Sequence, residues 1–122
     1  MKLALIILAG AVLSAGTAAA QSLPAEVKLA DGAFTDKAGK PLYTYTNDTM
    51  RNMSHCENRC AEAWPPLIAK PGSEPVGEWY LIKRGGGVQQ WAYKNHPLYT
   101  STKDQAGKPA TAANELWLVA RP

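Results

Sequence analysis

From Val27 onward the chain alternates apolar and polar positions over short runs, and each run ends in turn-forming residues. VKLA and AFTD flank Asp31-Gly32, a dipeptide suited to a two-residue hairpin turn. Lys37 to Lys40 form a second turn before LYTYT, in which Leu42, Thr44 and Thr46 face one way and Tyr43 and Tyr45 the other. EWYLIKR and VQQWAYK flank Gly85-Gly86-Gly87, and Lys94-Asn95 then turns the chain into HPLYTSTK, which predicts a three-stranded meander. Residues 104–114 are a loop of low hydrophobicity. In the final run, ELWLVAR, Leu116 and Leu118 share one face and Trp117 and Val119 the other. Only Met50 to Ala69 departs from period two. There Glu57 to Trp64 predicts a short helix, ended by Pro65-Pro66 because proline disfavours helical geometry in the residue before it.

Two of these runs are copies. PLYTYTND, Pro41 to Asp48, and PLYTSTKD, Pro97 to Asp104, share Pro, Leu, Tyr, two Thr and a closing Asp in one register. The fold expected is mainly β: two pseudo-repeated antiparallel meanders, about 27–69 and 78–121, joined by the Pro/Gly-rich segment 70–77. Burying their apolar faces together gives a small sandwich or an open barrel, completed by the C-terminal strand.

Tyr43-Thr-Tyr45-Thr-Asn-Asp48 resembles the Tyr-x-aromatic-x-x-Asp signature of a bacterial family of small secreted proteins and predicted lipoproteins, described as a secreted repeat of unknown function. The likeness extends through Cys56-Glu-Asn-Arg-Cys60, Trp64-Pro65-Pro66-Leu67 and Gln90-Trp91-Ala92-Tyr93. It implies a repeat architecture and supplies no molecular activity. The second copy departs from the signature, with Ser101 where an aromatic belongs. No cysteine stands where a lipid anchor would be attached, so a soluble periplasmic or secreted protein is implied.

The leader agrees with export. Lys2, an apolar run from Leu3 to Leu13, and Ala18-Ala19-Ala20 before Gln21 read as a signal peptide over 1–20, leaving 21–122 as a single domain. The apolar run is shorter than the ~20 residues that span a bilayer, so no stable membrane anchor is expected after cleavage. Residues 21–26 read as a loose lead-in. Of thirteen Lys and Arg, one lies in the leader, so twelve face ten Asp and Glu in the mature chain. A near-neutral surface without a basic cluster is not a nucleic-acid footprint. A monomer is expected, with an unknown protein or small-molecule ligand as partner.

Candidate chemistry is sparse. Asp48 and Asp104 close their strands; each could meet a cation or a ligand hydroxyl, but recurrence at a strand end favours an Asp bonding backbone N–H groups in the following turn. With one Phe against five Tyr and four Trp, Tyr43, Tyr45, Tyr99 and most other aromatics are expected in the core. Trp64, Trp79, Trp91, Tyr93 and Trp117 are the candidate ligand surface. Cys56 and Cys60, both exported, favour a disulfide. Were they reduced, they would join Met50, Met53 and His55 as soft ligands for copper; bonded, they leave only Met50, Met53 and His55, with His96 in reach from the other half. The three-residue spacing and the lack of a βαβ pattern disfavour a redox pair. No nucleophile elbow, zinc-protease helix or phosphate loop is present. The reading is therefore a non-catalytic module without cofactor, with copper handling as the alternative.

Overall fold

Asp31 and Gly32 close the first hairpin because both take left-handed φ, 50° and 76°, the backbone that matches a two-residue turn to right-twisted strands. The computed structural model describes residues 2–4, 7, 9, 10 and 22–122. The predicted cleavage site and most of the predicted signal peptide lie outside the described residues. The hairpin joins β1 (Val27–Ala30) to β2 (Ala33–Asp36). β3 (Tyr43–Tyr45) and the short helix α1 (Arg59–Ala63) follow. The second half holds β4 (Trp79–Lys83), β5 (Gln89–Tyr93), β6 (His96–Pro97) and β7 (Trp117–Val119). Among the described residues the fold is mainly β, with small antiparallel sheets β1-β2, β3-β7 and β4-β5-β6 and one helix inside the predicted 57–64. It is open and does not close into a barrel.

Both predicted meanders form. Leu98 N–H donates to Trp91 C=O at 3.0 Å, and Leu42 N–H to Phe34 C=O at 3.0 Å, so each PLYT segment runs back along its own hairpin. The last strand of each repeat goes elsewhere. Leu67, ending the first repeat, donates to Leu98 of the second at 2.9 Å and accepts from Trp91 at 2.9 Å; Ala120, ending the second, donates to Leu42 at 2.8 Å and accepts from Phe34 at 2.9 Å. The repeats thus exchange their final strands. β7 lies on β3 with Tyr45 opposite Trp117, and its partner segment meets the second half through the bridges Pro66–Tyr99 and Ile68–Gln90. Neither half is complete alone.

Alternation along PLYT then has a purpose that the pattern alone did not disclose. Leu42 and Leu98 enter one core with Phe34, Trp79, Trp91 and Tyr93, while Tyr43 and Tyr99 enter a second with Cys56 and Trp117. These two leucines and two tyrosines are fully buried. At the centre Tyr43 and Tyr99 exchange backbone bonds, N–H to C=O, at 2.7 and 3.0 Å. This pair marks a local twofold. Residues 22–26 are not loose: Leu23 packs on the first core, Pro24 C=O accepts Val27 N–H at 3.0 Å, and Glu26 accepts the Trp91 indole N–H at 2.8 Å. The Glu26 carboxylate satisfies a buried indole, an interaction invisible at a separation of 65 residues.

Candidate functional site

The motif residues meet across the twofold, each tyrosine with the other repeat's aspartate. Tyr99 Oη donates to Asp48 Oδ2 at 2.6 Å, and Tyr43 Oη donates to Asp104 Oδ2 in a very short bond. The free oxygen of each carboxylate takes a backbone N–H seven residues on: His55 to Asp48 Oδ1 at 2.6 Å, and Thr111 to Asp104 Oδ1 at 2.9 Å, with the Thr111 hydroxyl adding a third bond at 2.7 Å. Both aspartates are buried. Each does bind backbone N–H, but at the far side of a loop, so it holds a whole loop as well as the opposite strand. The hydroxyl that each carboxylate meets is the protein's own.

The two tyrosine hydroxyls are completed differently. Tyr43 Oη accepts Ala112 N–H directly at 3.2 Å. Tyr99 Oη contacts Ser54 Oγ at 2.6 Å, and Ser54 Oγ in turn accepts Cys56 N–H at 3.0 Å. Burial and the bond to Asp104 push the Tyr43 phenol up to about 12, and burial and the bond to Asp48 raise Tyr99 further. Burial would raise Asp104, but the bonds from Tyr43 and Thr111 outweigh it and hold the carboxyl below its usual range.

These shifts fix the sign of the pH dependence. A phenol raised in the folded state adds stability that is complete below the unfolded value near 10 and is lost as pH rises through the folded value. A depressed carboxyl adds stability above about pH 4 that is lost as pH falls through its folded value. Chemical denaturation across pH should therefore give a plateau with a loss at each end. Tyrosine absorbance should show Tyr43 and Tyr99 ionising only as the protein unfolds; ionisation of all five together near pH 10 with the fold intact would contradict the pairing.

Around the same axis the aromatics form a stack. Trp64 and Trp117, equivalent residues of the two repeats, lie parallel with centroids 3.9 Å apart and planes 3° apart. Tyr43 meets Trp64 edge-on at 5.1 Å, and Tyr99 meets Trp117 edge-on at 5.1 Å. Tyr45 covers the other face of Trp117 at 4.2 Å. Its counterpart is Ser101, so Trp117 is buried between two rings while Trp64 stays half-buried. Of the candidate ligand surface, Trp79, Trp91 and Tyr93 are core residues, 1%, 2% and 5% exposed. Their rings pack with Phe34, Trp79 and Tyr93 each at 5.0 Å from it, because a chain with one Phe must build its core from Trp and Tyr. A continuous stacking face from these five does not exist.

The unrepeated loop carries the Cys56–Cys60 disulfide. Cys56 is fully buried against the second core, and Arg84 ties the loop to the sheet, donating to Cys56 C=O at 2.8 Å and to Gln90 Oε1 at 3.0 Å. Gln90 passes the link to Leu98 C=O at 2.8 Å. Met50 and Met53 are each 48% exposed, and His55 and His96 are exposed. Among the described residues no three His, Cys, Asp or Glu side chains gather in a metal-binding group. Cys56→Ala should lower stability by about 2 kcal/mol through loss of the short loop closure and leave the β-sheet circular dichroism unchanged. Equal melting of variant and parent under oxidising conditions would count against that contribution.

A mainly β scaffold of two strand-exchanged repeats, locked by reciprocal Tyr–Asp bonds, defines a tandem-repeat protein whose signature residues are internal. The chain belongs to the family described as a secreted repeat of unknown function, whose model matches twice, over residues 27–68 and 80–121. Each match ends on the strand that its repeat gives to the other. No curated protein and no solved structure matches the chain. Among the described residues no helix is long and apolar enough to cross a membrane.

Proposed function

We propose that this secreted repeat protein works in the periplasm or outside the cell as a monomeric, non-catalytic module that binds a partner or small ligand on its outer surface. One observation carries the reading. The motif tyrosines and aspartates, the side chains best suited to acid–base or ligand chemistry, are buried and occupied by one another. A carboxylate with a tyrosine hydroxyl on one oxygen and a backbone amide on the other has both oxygens engaged by the fold.

A second reading, copper binding, is favoured by the two half-exposed thioethers beside an exposed imidazole on one loop. Such soft donors suit Cu(I). Thiol counting and metal analysis of protein isolated from the exported fraction, followed by Cu(I) titration, separates the two. The module reading expects no free thiol, no bound metal and no tight Cu(I) binding. Tight Cu(I) binding that is lost when Met50, Met53 and His55 are changed to Ala would establish the copper reading instead.

A further inference from the structure

The twofold makes two equivalent clefts, each between a hairpin and the loop that follows a motif aspartate, and only one of them is bridged by side chains. On the first, Arg51 lies three residues after Asp48 and its guanidinium sits 4.5 Å over the Tyr80 ring. Arg51 also donates to Asn95 at 3.3 Å, and Tyr80 Oη donates to Arg51 C=O. Side chains thus tie that loop to that hairpin. At the equivalent positions of the second cleft stand Gly107, three residues after Asp104, and Gly39, two before Pro41 where Asn95 is two before Pro97. There the backbones meet directly: Gly107 N–H donates to Gly39 C=O at 3.0 Å, and a Cβ on Gly39 would come within 2.9 Å of Gly107 N. Nothing replaces the Arg–Tyr bridge. Lys28 stands where Tyr80 does, and a groove of about 590 Å³ lies open between the β1–β2 hairpin and the loop Gly107–Ala110.

The groove is apolar inside and cationic at its edge. Val119, Pro109 and Ala110 offer hydrocarbon surface, and Lys28, Lys108 and Arg121 are exposed residues of the lining. None of these three cations makes an ion pair among the described residues, where the bridge present is Lys94–Glu78; Asp31 is the one acid on the lining. The volume falls in the range of small-molecule sites, about 300–1,000 Å³. An apolar trough edged by an excess of unpaired positive charge is complementary to a molecule with a hydrocarbon body and an anionic head.

We propose that this cleft binds an amphipathic organic anion, its apolar part along Val119, Pro109 and Ala110 and its carboxylate or sulfonate among Lys28, Lys108 and Arg121. The proposal rests on the reading of the chain as a binding module and names the surface and ligand class. Glycine at 39 and 107 lets hairpin and loop touch through one backbone bond and leaves no side chain across the cleft, whereas Arg51 and Tyr80 span its twin.

Amide-shift titration of the full mature protein with decanoate, kept below its aggregation concentration, and with decanol tests it. Decanoate should shift amides of Lys28 to Ala33 and Gly107 to Ala110 saturably, leave Arg51 to Ser54 unmoved, and bind at least about tenfold more tightly than decanol. The exposed triple change Lys28→Gln, Lys108→Gln, Arg121→Gln should weaken decanoate at least about tenfold, as loss of three partly solvated charge contacts predicts, and bring it level with decanol. Unchanged amide dispersion will confirm that the variant is folded. Equal affinity for acid and alcohol, or an unaltered triple variant, would overturn the proposal. Saturable shifts confined to another face would overturn the cleft and leave the binding-module reading standing.

Discussion

Asp48→Ala should destabilise the protein by about 3 kcal/mol, since the change removes the carboxylate acceptor of the buried Tyr99 hydroxyl, which keeps only its contact with Ser54, and leaves the His55 amide without its partner, each loss worth about 1–3 kcal/mol. For a domain of this size that corresponds to a fall in Tm of roughly 15 °C or more. The loss is large because the carboxylate is buried and because Tyr99 stands at the junction of the repeats, where its backbone also exchanges bonds with Tyr43. Asp48→Asn, which keeps the shape and one acceptor, should cost less, and Tyr99→Phe less than Asp48→Ala because it leaves the carboxylate with its His55 bond. Thermal and urea denaturation of the three variants gives the order. If Asp48→Ala melts with the parent, the carboxylate is not a structural tie and the case for an internal motif fails. Asp104→Ala should behave likewise, having lost Tyr43 and both Thr111 donors. The two changes should not be additive, since both act on one Tyr43–Tyr99 pair.

Trp117→Ala should cost about 3–5 kcal/mol, the range for a buried large aromatic cut back to Ala. Trp117 touches more of the second core than its twin does: Tyr45 on one face, Trp64 on the other and Tyr99 at its edge. Trp64→Ala should cost clearly less, because Ser101 stands where a ring would cover it and the residue is already half-buried. The stack also has a spectroscopic mark. Two indoles 3.9 Å apart and parallel should give a coupled near-ultraviolet circular dichroism band that either substitution abolishes. A parent spectrum equal to the sum of isolated tryptophans, or equal destabilisation by the two changes, would refute the asymmetric sandwich.

Much of this architecture was legible in the chain. The doubled PLYT segment, the Asp31-Gly32 and glycine-loop hairpins and the helix between Glu57 and Pro65 follow from local rules of turn chemistry and period, and the Cys56–Cys60 bond is expected from an exported pair of cysteines. They could be read because each depends on residues close in sequence. Candidate sites fared differently. Trp79, Trp91 and Tyr93 are amphipathic residues that serve a surface or a core equally well by composition, and only packing around Phe34 put them inside. Glu26 looked idle because its partner, Trp91, lies in the other repeat.

By itself, then, the sequence determined that there are two β units, that each carries a tyrosine and a closing aspartate, and that one copy lacks its second ring. Tertiary structure decided that the units trade their last strands, that each tyrosine serves the other copy's aspartate, and that one of two equivalent clefts stays open. The physical reason is that a repeat fixes what each copy contains, whereas pairing between copies depends on long-range burial. A strand donated within its own repeat or to its neighbour has the same alternation of apolar and polar residues, so the pattern is silent on the choice. Here the exchanged arrangement is the one that buries both PLYT faces and gives each buried motif carboxylate a donor on both of its oxygens.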